Sequence, residues 1–180
     1  MLPVKARQSA KKDPDRYLII GFDSEYQLVV TGDNARLENE VLSYQFSCVI
    51  VERVAGGAET RWQGLLKPKG PKVENRLSLE EFVSAAIQQG LAEHPEMSVP
   101  TAVYLVAHFT RADLPGFINF KDEQMRSKMN LQNIRNNFMN VSEDIAVEVF
   151  LLGEGDPLLL KVQIRDTITL SPTGSKKLSD

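Results

Sequence analysis

The stretch Tyr17-Leu-Ile-Ile-Gly-Phe-Asp-Ser-Glu-Tyr26 constrains this chain more than any other: it is an apolar run that ends in two carboxylates one residue apart. Residues 17–22 are β-branched and aromatic-rich and lack a helical period, which predicts a short buried strand. Side chains alternate in an extended chain, so Asp23 and Glu25 point to one side and Ser24 to the other. Two carboxylates on one face at the tip of a buried strand repel each other and lose solvation, an unfavourable arrangement unless a cation lies between them. The plainer reading is that Asp23 and Glu25 open a polar loop after a core strand, as most Asp-x-Glu triplets do.

Composition narrows the chemistry. The 180 residues are 42% hydrophobic and 25% charged, as expected for one globular domain with a sizeable core. The net charge of −3 gives no global signal for nucleic-acid binding, so such a partner would need a local patch or metal ions. One cysteine, Cys48, excludes an internal disulfide and a thiolate cluster. With two histidines besides, a metal site must be built mainly from carboxylates, which favours Mg²⁺ or Mn²⁺ over zinc. No stretch is long and apolar enough for a membrane span and no signal-peptide pattern opens the chain, so the expected setting is cytoplasmic, with no membrane partner.

Residues 1–16 carry Lys5, Arg7, Lys11, Lys12 and Arg16 against Asp13 and Asp15, and read as a basic, flexible lead-in. The domain proper is expected over residues 17–180. After the first strand come a polar segment at 31–40 with Gly32-Asp-Asn34 as its turn, a strand-rich run at 41–54, and a return strand at 60–66, forming an antiparallel meander. Ser78-Leu-Glu-Glu81 fits a capping box, and Leu79, Phe82, Val83, Ala86 and Ile87 form an apolar stripe, so a helix begins there and ends near Gly90. Residues 102–107 read as a second buried strand, giving a strand-helix-strand crossover of the right-handed kind. Residues 121–140, with Met125, Met129, Ile134 and Phe138 at rough helical spacing, read as a second helix. Residues 145–152 and 158–164 predict a hairpin across Gly153-Glu-Gly-Asp-Pro157. A further helix start is expected at Ser175.

Two more acidic landmarks follow strands. In Val106-Ala-His-Phe-Thr-Arg-Ala-Asp113, Asp113 is set for the first turn of a helix, where Thr110-x-x-Asp113 also has capping-box spacing. Asp166, with Thr167 beside it, closes the last predicted strand and has a capping reading of its own. A strand ending in Asp-x-Glu, a later strand followed by His and then Asp five positions on, and a further strand ending in Asp-Thr together resemble the DEDD 3′-5′ exonucleases. That family has the ribonuclease H-like fold and includes the proofreading domains of DNA polymerases. Phe22-Asp-Ser-Glu25 is similar to its first motif and His108-Phe-Thr-Arg-Ala-Asp113 to its second. Arg165-Asp-Thr-Ile-Thr-Leu170 with Gly174-Ser-Lys-Lys-Leu-Ser179 is similar to the segment between the second and third motifs. The long interval between the first two motifs looks most like polymerase-linked domains of family B or protein-primed type. Phe109 stands where the family has Asn and Ala112 where it has an aromatic residue, so different substrate contacts are expected there; no third motif is present, so the chain is expected to be part of a longer protein.

The resemblance implies an α/β mixed sheet of ribonuclease H-like type and a two-metal phosphodiester hydrolase. Asp23, Glu25 and Asp113 would hold two Mg²⁺ or Mn²⁺ ions, one of them weakly without a fourth carboxylate, so activity from these residues alone is expected to be small. Tyr26, His108 and Phe109 would contact the substrate, Tyr26 by stacking on a base. The implied partners are a single-stranded DNA 3′ end, or RNA, and a polymerase domain in the same longer chain. Two readings compete with the enzyme: a degenerate module of the same fold that only binds nucleic acid or a partner, and an unrelated α/β scaffold whose carboxylates are caps. For Tyr26 and His108 ordinary packing and a structural histidine are the plainer alternatives.

Overall fold

A computed structural model describes residues 16–31, 36–52, 59–108, 110–121, 131–134, 138–141, 144–151 and 155–167. The expected basic lead-in up to residue 15, Phe109 and the helix start at Ser175 lie outside these residues. The first strand, β1 (Arg16–Thr31), is much longer than the apolar run predicts, because it pairs along its whole length with β2 (Arg36–Glu52). Polar residues such as Gln27 are therefore drawn into a ribbon by backbone pairing that hydrophobic periodicity does not report. Arg16 belongs to the sheet as well: its guanidinium bonds Glu52 at 2.9 Å and Ser98 Oγ at 2.7 Å.

β3 (Thr60–Leu66) completes the antiparallel meander. The helix α1 (Leu79–Glu93) follows, with the expected capping box: Ser78 Oγ accepts the Glu81 N–H and the Glu81 carboxylate accepts the Ser78 N–H. Gly90 lies inside α1, and its role there is close approach. A Cβ would stand 2.5 Å from the Trp62 ring, whose Nε1 donates to Ala86 O at 2.7 Å. β4 (Ala102–Ala107) lies parallel to β1, and after the short α2 (Thr110–Asp113) the chain runs through 3₁₀ turns at Leu114–Gly116 and Ile118–Lys121.

The expected helix at 121–140 is not found where the chain is described. β5 (Leu131–Ile134) and β6 (Phe138–Val141) form an antiparallel hairpin instead, with Ile134 opposite Phe138 in register. Asparagine at 130, 133, 136, 137 and 140 is a poor helix former and a good turn former, and here it outweighs the spacing of the apolar residues. β7 (Ile145–Val149) and β8 (Leu158–Asp166) make the predicted hairpin, β8 running parallel to β4.

The main sheet has the order β3-β2-β1-β4-β8-β7, with β1, β4 and β8 parallel and the rest antiparallel. This mixed α/β architecture is compatible with a ribonuclease H-like fold. One face of the sheet is apolar and packs on α1: Leu18, Ile20 and Phe22, Phe46 and Ile50, and Val103, Leu105, Val162 and Ile164 bury against Phe82, Val83 and Ile87. Phe82 sits in an aromatic cluster with Phe22, Tyr44, Phe46 and Phe117, its ring centroid 5.3–6.1 Å from theirs. Cys48 is buried in this core, and burial pushes its thiol up to about 12. Among the described residues no helix is long and apolar enough to cross a membrane.

Candidate functional site at the strand ends

Alternation along β1 places Phe22 and Ser24 on the buried side and Asp23 and Glu25, both exposed, on the opposite face. The position along the strand matters as much as the face. β4 pairs with β1 only as far as Gly21 and Val106, after which β4 gives way to His108 and α2. Beyond that fork β1 loses its parallel neighbour, and the backbone N–H of Ser24 faces a gap. Asp113 fills it: its Oδ1 accepts the Ser24 N–H at 3.2 Å. The carboxylate thus continues a ladder that the strand no longer supplies.

Asp113 thus has a role on β1 besides any at the start of its own helix. α2 is only four residues, Pro115 follows, and Asp113 makes no cap hydrogen bond to the 3₁₀ turn after it. Its partner lies 89 residues away in sequence, on β1. Asp113 is 4% exposed, and burial pushes its carboxyl up to about 7, helped by the neighbouring charges of Asp23 and Asp166 and opposed by the Ser24 N–H. Asp23 precedes the residue whose N–H Asp113 accepts, so the two carboxyl groups belong to adjoining positions at this fork. Three aspartates from the carboxyl ends of the three parallel strands, or just beyond them, therefore meet in one electrostatic neighbourhood, the place where open α/β sheets bind ligands.

Asp23 and Asp113 are brought together. Glu25 shares the face of Asp23, about 6.6 Å further along the strand by its rise per residue. Among the described residues no group of three or more His, Cys, Asp or Glu side chains stands ready-made to hold a metal ion. Tyr26 turns its hydroxyl inward, where it donates to Ala112 O at 2.8 Å and lies 3.2 Å from Asp113 O; burial pushes this phenol up to about 12. His108 Nδ1 lies 3.1 Å from Thr167 Oγ1, whose proton goes to Ala107 O at 3.3 Å. The imidazole hydrogen therefore sits on Nδ1, and the contact ties the end of β4 to the end of β8. His108 Nε2 is buried without a hydrogen-bond partner among the described residues. Phe109 lies outside the described residues.

Two features escaped the choice of site residues. Asp166 pairs in register with Ala107 and acts on Asp113 through its charge; its signal was the strand ending in Asp-Thr. The other is a groove of about 640 Å³ beside Asp23 on the open face of the sheet. It is crossed by two rows in register, Asp23–Gln45–Leu65 and Gly21–Ser47–Gln63. The alternation of Ser43, Gln45 and Ser47 with apolar residues was the trace of that face in the sequence.

The fold and this strand-end site define a mixed α/β domain with an acidic centre of hard oxygen donors. In sequence the chain is similar to a primer-independent DNA polymerase, PolB, of Escherichia coli: 29% identity over 120 residues, covering 67% of this chain. The match spans 13% of the length of that protein. No family model matches the chain. The similarity supports a relation to DNA polymerases.

Proposed function

We propose that this chain forms the 3′-5′ exonuclease domain of a DNA polymerase, hydrolysing the terminal phosphodiester of a single-stranded DNA 3′ end. The observation that carries the proposal is the buried Asp113 held on the Ser24 N–H at the fork between β1 and β4, next to Asp23, with the charges of Asp23 and Asp166 both acting on it. A carboxyl held near neutrality by burial and by two like charges is a site that a divalent cation relieves, and an all-oxygen donor set suits Mg²⁺ or Mn²⁺. Asp23, Glu25 and Asp113 would hold the ions. A bound pair would supply a water of lowered pKa and stabilise the leaving oxygen.

The chain's own residues do the rest. Asp113 keeps the Ser24 N–H bound and so fixes the edge of β1 next to Asp23. The groove beside Asp23 offers Gln45, Ser47 and Gln63 as neutral donors and acceptors and Leu65 as an apolar wall. Apart from Asp23 it is lined by uncharged residues, which suits bases and sugars better than phosphates. The polymerase module belongs to the same longer chain in this proposal, in line with the small fraction of PolB that the match covers.

A second reading, a degenerate module that only binds nucleic acid, has its own support in Phe109 and Ala112, which depart from the second motif of the exonucleases. One experiment separates the two. Metal titration with a 5′-labelled single strand is run on this chain and on the longer polymerase that contains it. The exonuclease reading expects Mg²⁺- or Mn²⁺-dependent shortening from the 3′ end, lost in Asp23→Ala and in Asp113→Ala. Strand binding with no metal-dependent shortening in either protein would favour the binding module. An RNA strand in parallel decides between DNA and RNA.

A further inference from the structure

The short segment that carries Asp113 cannot hold its own shape. A four-residue helix is far below the length at which helical hydrogen bonding is self-supporting, and Pro115 supplies no N–H to continue it. Like charge on Asp23 also pushes an ionised Asp113 away from where it is found. Something outside the segment must restrain it.

Three side chains do so, and they come from three different parts of the chain. From β1, Tyr26 Oη donates to Ala112 O at 2.8 Å and lies 3.2 Å from Asp113 O. From β2, Tyr44 Oη donates to Gly116 O at 2.7 Å and accepts the Leu77 N–H at 3.2 Å. From the loop before α1, the buried Arg76 donates from Nη1 to Pro115 O at 2.9 Å and from Nη2 to Asn39 O. The carbonyls left over when a helix stops after one turn are thus taken up by phenol and guanidinium donors. The fit is close: a Cβ on Gly116 would stand 2.8 Å from the Tyr26 hydroxyl and 3.2 Å from Ser24 Oγ.

We infer that Tyr26, Tyr44 and Arg76 form one clamp whose task is to hold Asp113 against the Ser24 N–H and against Asp23. They are positioning residues. Only the catalytic consequence rests on the exonuclease proposal; the clamp stands on its hydrogen bonds. Tyr26 then works through its inward-facing hydroxyl, and Arg76 is required as a fork that reaches two diverging carbonyls, which a lysine cannot do.

The test measures native-state amide exchange at Ser24 in Tyr26→Phe, Tyr44→Phe and Arg76→Lys, with Ile20 on the same strand as the internal reference. Val83→Ala, a core variant away from the clamp, serves as the control for general loss of stability. The clamp predicts about tenfold faster exchange at Ser24, Ile20 unchanged, in each clamp variant and no such selective change in the control. Unchanged Ser24 exchange in both tyrosine variants, or the same selective acceleration in Val83→Ala, would overturn it. Mn²⁺ binding followed by electron paramagnetic resonance adds the second arm. Tyr26→Phe and Tyr44→Phe are expected to weaken the Asp23-dependent binding about fivefold, a loss comparable to one net hydrogen bond. Intact Mn²⁺ affinity beside accelerated Ser24 exchange would overturn the link from clamp to carboxylates. A natural chain that binds no Mn²⁺ would instead count against the exonuclease proposal, and Ser24 exchange would still decide the clamp.

Discussion

Two regions of this molecule are withdrawn from water, one fully and one in large part, and are built on opposite physics. Under α1, Phe22, Phe82 and Phe117 close on one another with no polar atom in their side chains. A few residues away along β1, Ser24, Tyr26, Arg76 and Asp113 are also withdrawn from solvent, yet each is polar and Asp113 carries a carboxyl. Burial stabilises the first region and works against the second, which persists because the Ser24 N–H, the Tyr26 hydroxyl and both Arg76 Nη groups find a carbonyl or carboxylate. The aromatic core should therefore be indifferent to pH and metal, and the acidic centre should respond to both. Tyr44 belongs to both regions: its ring is stacked on Phe117, centroids 5.5 Å apart, and its hydroxyl enters the clamp.

The sharpest way to break this contrast is through the core. Phe82→Ala should cost about 3–5 kcal/mol in denaturant unfolding, with the same loss from pH 5 to 8 and with or without Mg²⁺. A loss that varied with metal would mean that the two regions are not separable. Asp113→Asn should act in the opposite direction. The Asp113 carboxyl is raised in the folded state to about 7 from an ordinary value of 3.8, so its contribution to stability is fully present below pH 4 and is lost as pH rises through 7. In chelator, the melting temperature of the natural chain should fall over that window. The asparagine variant, which still accepts the Ser24 N–H, should be more stable by about 2–4 kcal/mol at pH 8. Mg²⁺ should narrow the gap.

Tyr44→Phe divides the two regions at a single side chain. It keeps the stacked ring and leaves Gly116 O and Leu77 N without their partner, for an expected cost of about 1–3 kcal/mol by thermal unfolding. A near-zero cost would show that the hydroxyl is dispensable. The smallest stability effect belongs to Glu25→Gln. Glu25 is exposed, so its replacement should change stability by less than about 0.5 kcal/mol. In the exonuclease assay the same variant should lose most metal-dependent activity, and retained activity would remove Glu25 from the proposed site.

The apolar patterns were read correctly where burial on one face dictated them. The capping box at Ser78, the β4 run and the β7–β8 hairpin all follow from local spacing, because a core-facing strand or helix must repeat its apolar residues at a fixed period. The reading failed where local spacing was not the deciding force. Ile134 and Phe138, at helical spacing, are register partners in an antiparallel strand pair. The apolar run predicts a strand only over residues 17–22, yet β1 continues to Thr31 because β2 lies beside it. Thr110-x-x-Asp113 has the letters of a capping box, and its local spacing gives no sign that Asp113 also bonds β1, 89 residues away.

By itself the sequence determined which residues are apolar at which period, and that Asp23 and Glu25 must share a face, since alternation is a property of any extended chain. It also limited the chemistry of a metal site to oxygen donors, through the scarcity of Cys and His. The tertiary structure decided which carboxylates meet. Asp113 reaches β1 beside Asp23 because β4 stops pairing with β1 at Gly21 and leaves the Ser24 N–H open to it. Tyr26, Tyr44 and Arg76 converge on residues 112–116 from three separate segments, and no spacing within any one of those segments could encode that meeting.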